Sequence, residues 1–174
     1  MDNLRYPVGR HDPSAGVTLE QVRAAVEDIR QLPARLTEAV HGLDDARLDT
    51  PYRPEGWTVR QVVHHVVDSH VNAYVRLRLA LTEDRPLIRG YQQELWAELP
   101  DALTLPVEPS LEVLRGLHQR WTALLDRLAP EQLDRPLEHS EFGTLTVSQL
   151  TCLYGWHSRH HVAHITSLRE REGW

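Results

Sequence analysis

Seven of the eleven histidines fall in two short stretches, "HHVVDSH" (His64, His65, His70) and "HSRHHVAH" (His157, His160, His161, His164). Imidazole is the commonest metal-binding side-chain group and the one whose charge changes nearest neutral pH. Residues four apart share a helix face, so His157 and His161 can grip one ion together, as can His160 and His164. A third imidazole from the other stretch would complete a three-histidine site with a position open for water. That is the arrangement of a catalytic ion rather than a structural one.

Competing chemistries lack their parts. HExxH is absent, so the zincin arrangement is excluded. A carboxylate-bridged di-iron bundle needs two Glu-x-x-His motifs, and Glu38–His41 is a single one. The lone Cys152 forms neither an internal disulfide nor a CxxC pair and is expected to be a buried thiol. Neither a Gly-rich phosphate loop nor a GxSxG elbow occurs. The net charge of −6 argues against a nucleic-acid partner, because phosphate binding needs concentrated positive charge. All nineteen basic residues are arginine, which reads as codon usage.

The chain has 174 residues, suited to a single domain over 1–174, and its 41% hydrophobic and 25% charged content is that of an ordinary globular protein. No apolar run approaches the roughly 20 residues that span a bilayer. The opening residues lack the basic-then-apolar pattern of a secretory signal, so a cytoplasmic location is expected by default.

The elements that would position the histidines are four long helices. The first is predicted from Thr18 to His41, opened by the capping box "TLEQ" and closed by Gly42, with a kink or break near Leu32 caused by Pro33. The second runs from Thr58, in "TVRQ", to Thr82. The third begins near Ser110 and ends before Pro130. The fourth runs from Thr146, in "TVSQ", to Glu172. A shorter helix is expected over Gln92–Leu99, and strand signals are weak throughout. This is an all-α pattern, best housed in a four-helix bundle with long connections, Glu83–Pro109 and Pro130–Leu145, over one end. The "TVRQ" and "TVSQ" helices each follow a Leu-Asp-x-Pro and a glycine and each carry histidines, an echo that suggests paired elements.

On the fourth helix the apolar stripe passes through Leu150, Leu153, Tyr154, Ile165 and Leu168. At about 100° per residue, His157, His161 and His164 fall within it and His160 lies at its edge. On the second helix His64 points away from the stripe, His65 sits on one flank and His70 lies within it. Periodicity alone favours His70 as the inward group, and His65 stays eligible at a helix–helix seam. Three inward imidazoles on one helix are hard to satisfy without an ion, water or a polar network.

At these residues the chain resembles the DinB/YfiT-like superfamily of metal-dependent enzymes, most closely its YfiT-type group. The matching stretches are "RYPVG", "LDTPYRPEGWTVRQVVHHVVDSHVNAYVRLRLALTE", "LHQRWTALL" and "YGWHSRHHVAHITSLREREGW", in order along nearly the whole chain. The resemblance implies a four-helix bundle holding one divalent ion, Zn2+ or Ni2+. It implies His65, His157 and His161 as the ligands, and so decides for His65 where periodicity leans to His70. His64, His160 and His164 are then candidates for supporting the ligands or facing substrate. The resemblance further implies either hydrolysis or transfer of a low-molecular-weight thiol such as bacillithiol.

Three neutral nitrogens would leave such an ion its full charge, so water or a thiol placed on it gives up a proton more readily. Hydrolysis also wants a base, for which His160, His164 and Asp68 are the candidates. Asp68, one turn from His64 and His65, could instead orient a ligand imidazole. Trp57 and Arg60 could meet an anionic substrate. The expected partner is a small molecule, with no membrane. The apolar seams and the tryptophans Trp121 and Trp174 make a homodimer plausible. The alternative is a non-catalytic metal-binding or structural bundle.

Overall fold

The computed structural model describes residues 2–174. Its frame is four long helices: α1 (Leu19–Val40), α2 (Val59–Thr82), α3 (Glu108–Leu125) and α4 (Val147–Glu172). Three of the four starts are capping boxes. Thr18, Thr58 and Thr146 accept from the backbone N–H three residues on, and Gln21, Gln61 and Gln149 return the bond to the cap residue's own N–H. Gly173, at φ 72°, closes α4 in the left-handed conformation that favours glycine. The expected starts hold within two residues, α3 ends at Leu125, several residues short of Pro130, and the short helix predicted over Gln92–Leu99 is a single turn, Gln93–Trp96.

Both α1 and α2 pack against both α3 and α4. The first two long helices therefore lie across the bundle's diagonal, and the chain crosses between them instead of turning back alongside. The tightest seam is between α1 and α4 at Gly155. A Cβ there would sit 2.6 Å from Cβ and 2.7 Å from Cα of Ala25, and the latter is backbone that cannot rotate away. Gly155→Ala is expected to lower stability by about 1–3 kcal/mol, the cost of overpacking a filled core. Urea denaturation checks this; an unchanged midpoint would show that the seam has slack.

Two features depart from expectation. Helix α1 runs through Pro33 without ending. The long connections also contain a small sheet in the order β1 (Leu87–Ile88), β2 (Pro136–His139), β3 (Gly143–Thr146). β1 pairs parallel with β2 and β2 antiparallel with β3, so the two connections are stitched to each other. Strands of two to four residues are too short to show alternation.

The apolar core is divided. One large cluster holds Leu36, Val63, Val66, Leu114 and Ile165, and a second holds Ile29, Leu77, Trp121, Leu150 and Tyr154; a small third holds Val22, Ala25 and Cys152. Between the first two, on α2 lies His70, on α3 His118, and on α4 His157 and His161. A layer of imidazoles thus crosses the bundle where an ordinary core would be continuous. Among the described residues, no helix is long and apolar enough to cross a membrane.

Candidate metal centre

Helix α2 brings His65, and α4 brings His157 and His161, to one point. Each offers a ring nitrogen, and the three nitrogens lie within 4.8 Å of one another. Ring centroids are 4.4 Å apart for His157 and His161, 4.8 Å for His65 and His161, and 5.4 Å for His65 and His157. The four-residue spacing aligns the α4 pair. His65, on the flank of its own stripe, meets them because α2 and α4 are neighbours in the bundle. His65 and His161 are buried. His157 is surrounded by protein yet keeps part of its surface open to the cavity above.

His70, the inward residue by periodicity, has a different role. Its Nε2 lies 3.0 Å from Nδ1 of His157, and its Nδ1 lies 3.0 Å from Nε2 of His118. His118 in turn directs Nδ1 at the carbonyl of Ile29. That carbonyl is the one whose helical partner would be the N–H of residue 33, and Pro33 has none. The proline leaves an acceptor in the core, and His118 fills it.

This row has one consistent proton assignment. The Ile29 carbonyl only accepts, so His118 carries its proton on Nδ1 and its Nε2 is bare. His70 must then donate from Nδ1, leaving Nε2 bare to accept from Nδ1 of His157. His157 is left with a bare Nε2, the form a ligand needs. Burial keeps the row neutral: it pushes His118 down to about 4 and His70 and His157 well below the ordinary 6.5.

The remaining predicted residues sort as follows. His160, His161 and His164 form a second trio with the same reach, sharing His161 with the first. His164 donates from Nε2 to the Arg5 carbonyl at 3.0 Å and stacks on Tyr52, centroids 3.9 Å apart, which leaves its Nδ1 bare. His160 stacks on Trp156 at 4.4 Å. Nδ1 of each of His160, His161 and His164 is buried without a hydrogen-bond partner. Asp68 is elsewhere: its carbonyl accepts from Asn72, its carboxyl bonds to neither His64 nor His65, and burial followed by the Asp101 charge raises it to about 6. His64 instead ties α2 to the first turn of α3 through Ser110 Oγ at 2.8 Å, and to the segment before it through the Leu105 carbonyl at 3.1 Å. Arg60 is held by Asp49, Asp45 and the Leu105 carbonyl, whereas Trp57 packs on His65 at 4.5 Å and does line the cavity.

The cavity over the first trio has a volume of about 590 Å³. Tyr6, Tyr52, Trp57 and Trp156 wall it, with Arg5 and Arg53 among its charged lining. Tyr6 and Tyr52 were missed as wall residues by periodicity, although both sit inside the motif stretches quoted above. The donor set suits a divalent transition-metal ion: imidazole nitrogens only, one bare by the proton assignment and one, on His161, buried with no other partner.

The same burial sets a pH dependence. His65 and His160 are pushed down to about 3, His118 and His164 to about 4. An unfolded chain protonates them near 6.5, so below that value it binds more protons than the folded chain, and acid favours unfolding. Each imidazole would contribute up to about 2 kcal/mol of stability at pH 7 that is gone by pH 5. The metal-free protein is therefore expected to show a much lower urea midpoint at pH 5 than at pH 7, with uptake of more than one proton on unfolding. Equal midpoints would mean that these rings are not held neutral.

Residues 12–165 match the profile of the DinB superfamily. A protein from Bacillus cereus (strain 03BB102) and one from Bacillus thuringiensis subsp. konkukian (strain 97-27) are each 51% identical over 174 residues, covering 100% of both chains. Their names assign them, provisionally, to the metal-dependent hydrolases. Among solved structures, YfiT from Bacillus subtilis superposes with a TM-score of 0.94 at 46% identity, covering 99% of each chain. It is described as a probable metal-dependent hydrolase with an unusual four-helix bundle topology.

Proposed function

This chain belongs to the DinB superfamily, and from that premise we propose that it is a divalent-metal-dependent hydrolase of small molecules, with His65, His157 and His161 holding one Zn2+ or Ni2+. The observation that carries the reading is the meeting of three neutral imidazoles from two helices at the floor of an aromatic-walled cavity. When bound, the ion would supply charge that polarises a carbonyl and eases deprotonation of water.

The protein's own residues do the rest. His70 holds the proton arrangement of His157. Tyr52 and the Arg5 carbonyl fix the ring of His164 so that its bare Nδ1 serves as proton acceptor, with His160 beside it. Tyr6, Trp57 and Trp156 shield the floor from bulk water and give an apolar body of substrate a surface to lie on.

Thiol transfer is the second reading, favoured by the same cavity and by the lack, among the described residues, of a carboxylate hydrogen-bonded to any of the three ligands. The assay that separates them uses tag-free protein loaded with Zn2+ or Ni2+. Cleavage of p-nitrophenyl acetate that needs no thiol and stops with chelator is the expected result. Conjugation of 1-chloro-2,4-dinitrobenzene only with bacillithiol or glutathione would replace hydrolysis with S-transfer. No turnover of either kind would leave a non-catalytic metal-binding bundle.

A further inference from the structure

Beside the metal cavity lies a second one of about 310 Å³, which shares His157, Trp156, Leu153, Phe142, Gln93 and Glu94 with it. Its most unusual member is Arg76, on α2. The side chain is 8% exposed, and no acidic residue pairs with it among the described residues. Nη1 donates to Tyr154 Oη at 3.2 Å and Nη2 to the Arg89 carbonyl at 3.1 Å, both neutral acceptors. A guanidinium has five N–H donors, so the remaining three find no acceptor among the described residues. A buried charge without a counter-charge is expensive, so buried charges are ordinarily paired, and an anionic ligand here would complete the pair.

Two further polar atoms in the same cavity are buried and unpartnered: Tyr91 Oη and His139 Nε2. The Tyr91 hydroxyl lies near Ser69 without a well-formed hydrogen bond to it. Both atoms are donors. Nδ1 of His139 accepts from the Glu141 N–H at 3.2 Å, so a neutral His139 carries its proton on Nε2. Burial and the neighbouring Arg76 charge hold it neutral, pushing it down to about 4. Glu94 and Glu141 line the rim but are exposed, and the Glu141 carboxylate lies against Gly90. The acceptors inside are thus neutral, the Ser69 and Tyr154 hydroxyls and the Arg89 carbonyl, and among the described residues no carboxylate pairs with the cationic donor.

We propose that this cavity is a subsite for a carboxylate carried by the substrate, with Arg76 supplying the charge and Tyr91 and His139 the remaining hydrogen bonds. Arg76 stands eleven residues after His65 on α2, about 16 Å along the axis and within about 20° of the same face. Its long side chain leans back toward the helix N-terminus, so the anion would sit nearer His65 than that rise. A molecule with its carboxylate here and a scissile bond over the imidazole trio bridges the two cavities along their common wall. The role in substrate selection rests on the hydrolase reading; the binding of a carboxylate does not.

The test is therefore run on chelator-treated protein, where no ion can capture the probe. Butyrate, inorganic phosphate and neutral methyl butyrate are titrated in turn, followed by heat of binding and by the Arg76 Nε–H resonance in 15N-labelled protein. Butyrate is expected to saturate and move that resonance, and methyl butyrate to do neither. Arg76→Met should weaken butyrate at least tenfold and Tyr91→Phe severalfold, while metal content after reloading stays at the wild-type level in both. Unchanged affinity in Arg76→Met, or in Tyr91→Phe should the first variant not fold, overturns the subsite. Phosphate binding tighter than butyrate overturns the carboxylate assignment. Failure of the metal reading would show separately, as wild-type protein that retains no ion.

Discussion

His157→Ala should take the tag-free protein from about one divalent ion per chain to almost none, and its turnover to the level of buffer. The magnitude is scaled from the apparent binding energy of a structural Zn2+, about 10–16 kcal/mol shared over four ligands. Losing one imidazole then costs about 3–4 kcal/mol, or roughly 100- to 1,000-fold in affinity. The geometry makes the experiment discriminating, because two trios share His161. His65→Ala should lose the ion as His157→Ala does, and His164→Ala should keep it while losing turnover. Metal analysis after dialysis, followed by the esterase assay, reads both. Equal metal content in wild type and His157→Ala sinks the assignment. Loss in His164→Ala with retention in His65→Ala moves the ion to the trio on α4 alone.

His118→Leu should lower metal affinity by about 10- to 100-fold although the residue touches no ligand atom of the trio, the effect expected when a ligand's supporting partner is removed. Without the acceptor at His118 Nε2, His70 is free to carry its proton on Nε2 and donate to His157 Nδ1. His157 then holds its own proton on Nε2, the wrong nitrogen. Histidine 15N shifts in the metal-free protein report this directly: a proton on Nδ1 of His157 in wild type, and on Nε2 for a substantial fraction in His118→Leu. His118→Gln has an amide N–H for the Ile29 carbonyl and an oxygen for His70, so it should restore most of the affinity. A purely packing role for His118 would leave the proton position unmoved and make the glutamine no better than the leucine.

Much of this was legible in the residues. The capping threonines Thr18, Thr58 and Thr146 announced three helix starts, and the His157/His161 spacing announced a shared face. His65 was ambiguous, because a helix wheel places a residue relative to its own stripe and says nothing of which neighbour lies beside its flank. His118 escaped notice because it is isolated in sequence; only the bundle's pairing of α1 with α3 puts it beneath Ile29. The donor set of Arg76, Tyr91 and His139 comes from a helix, a connection and a short strand joined by long-range pairing that no local pattern encodes. Asp68 stands at the right sequence distance from His65, but its carboxyl makes no hydrogen bond to the imidazole of His64 or His65.

Pro33 deserves a different valuation from the one helix propensity would assign. An engineer seeking a sturdier protein would replace it with alanine, expecting a gain of up to about 3 kcal/mol from repairing the α1 backbone. The repaired backbone would offer its own N–H to the Ile29 carbonyl and compete with His118 for it. Thermostability screens would score that variant a success while its cofactor retention declined, so the flaw in α1 is a place where selection for ruggedness and selection for catalysis pull in opposite directions.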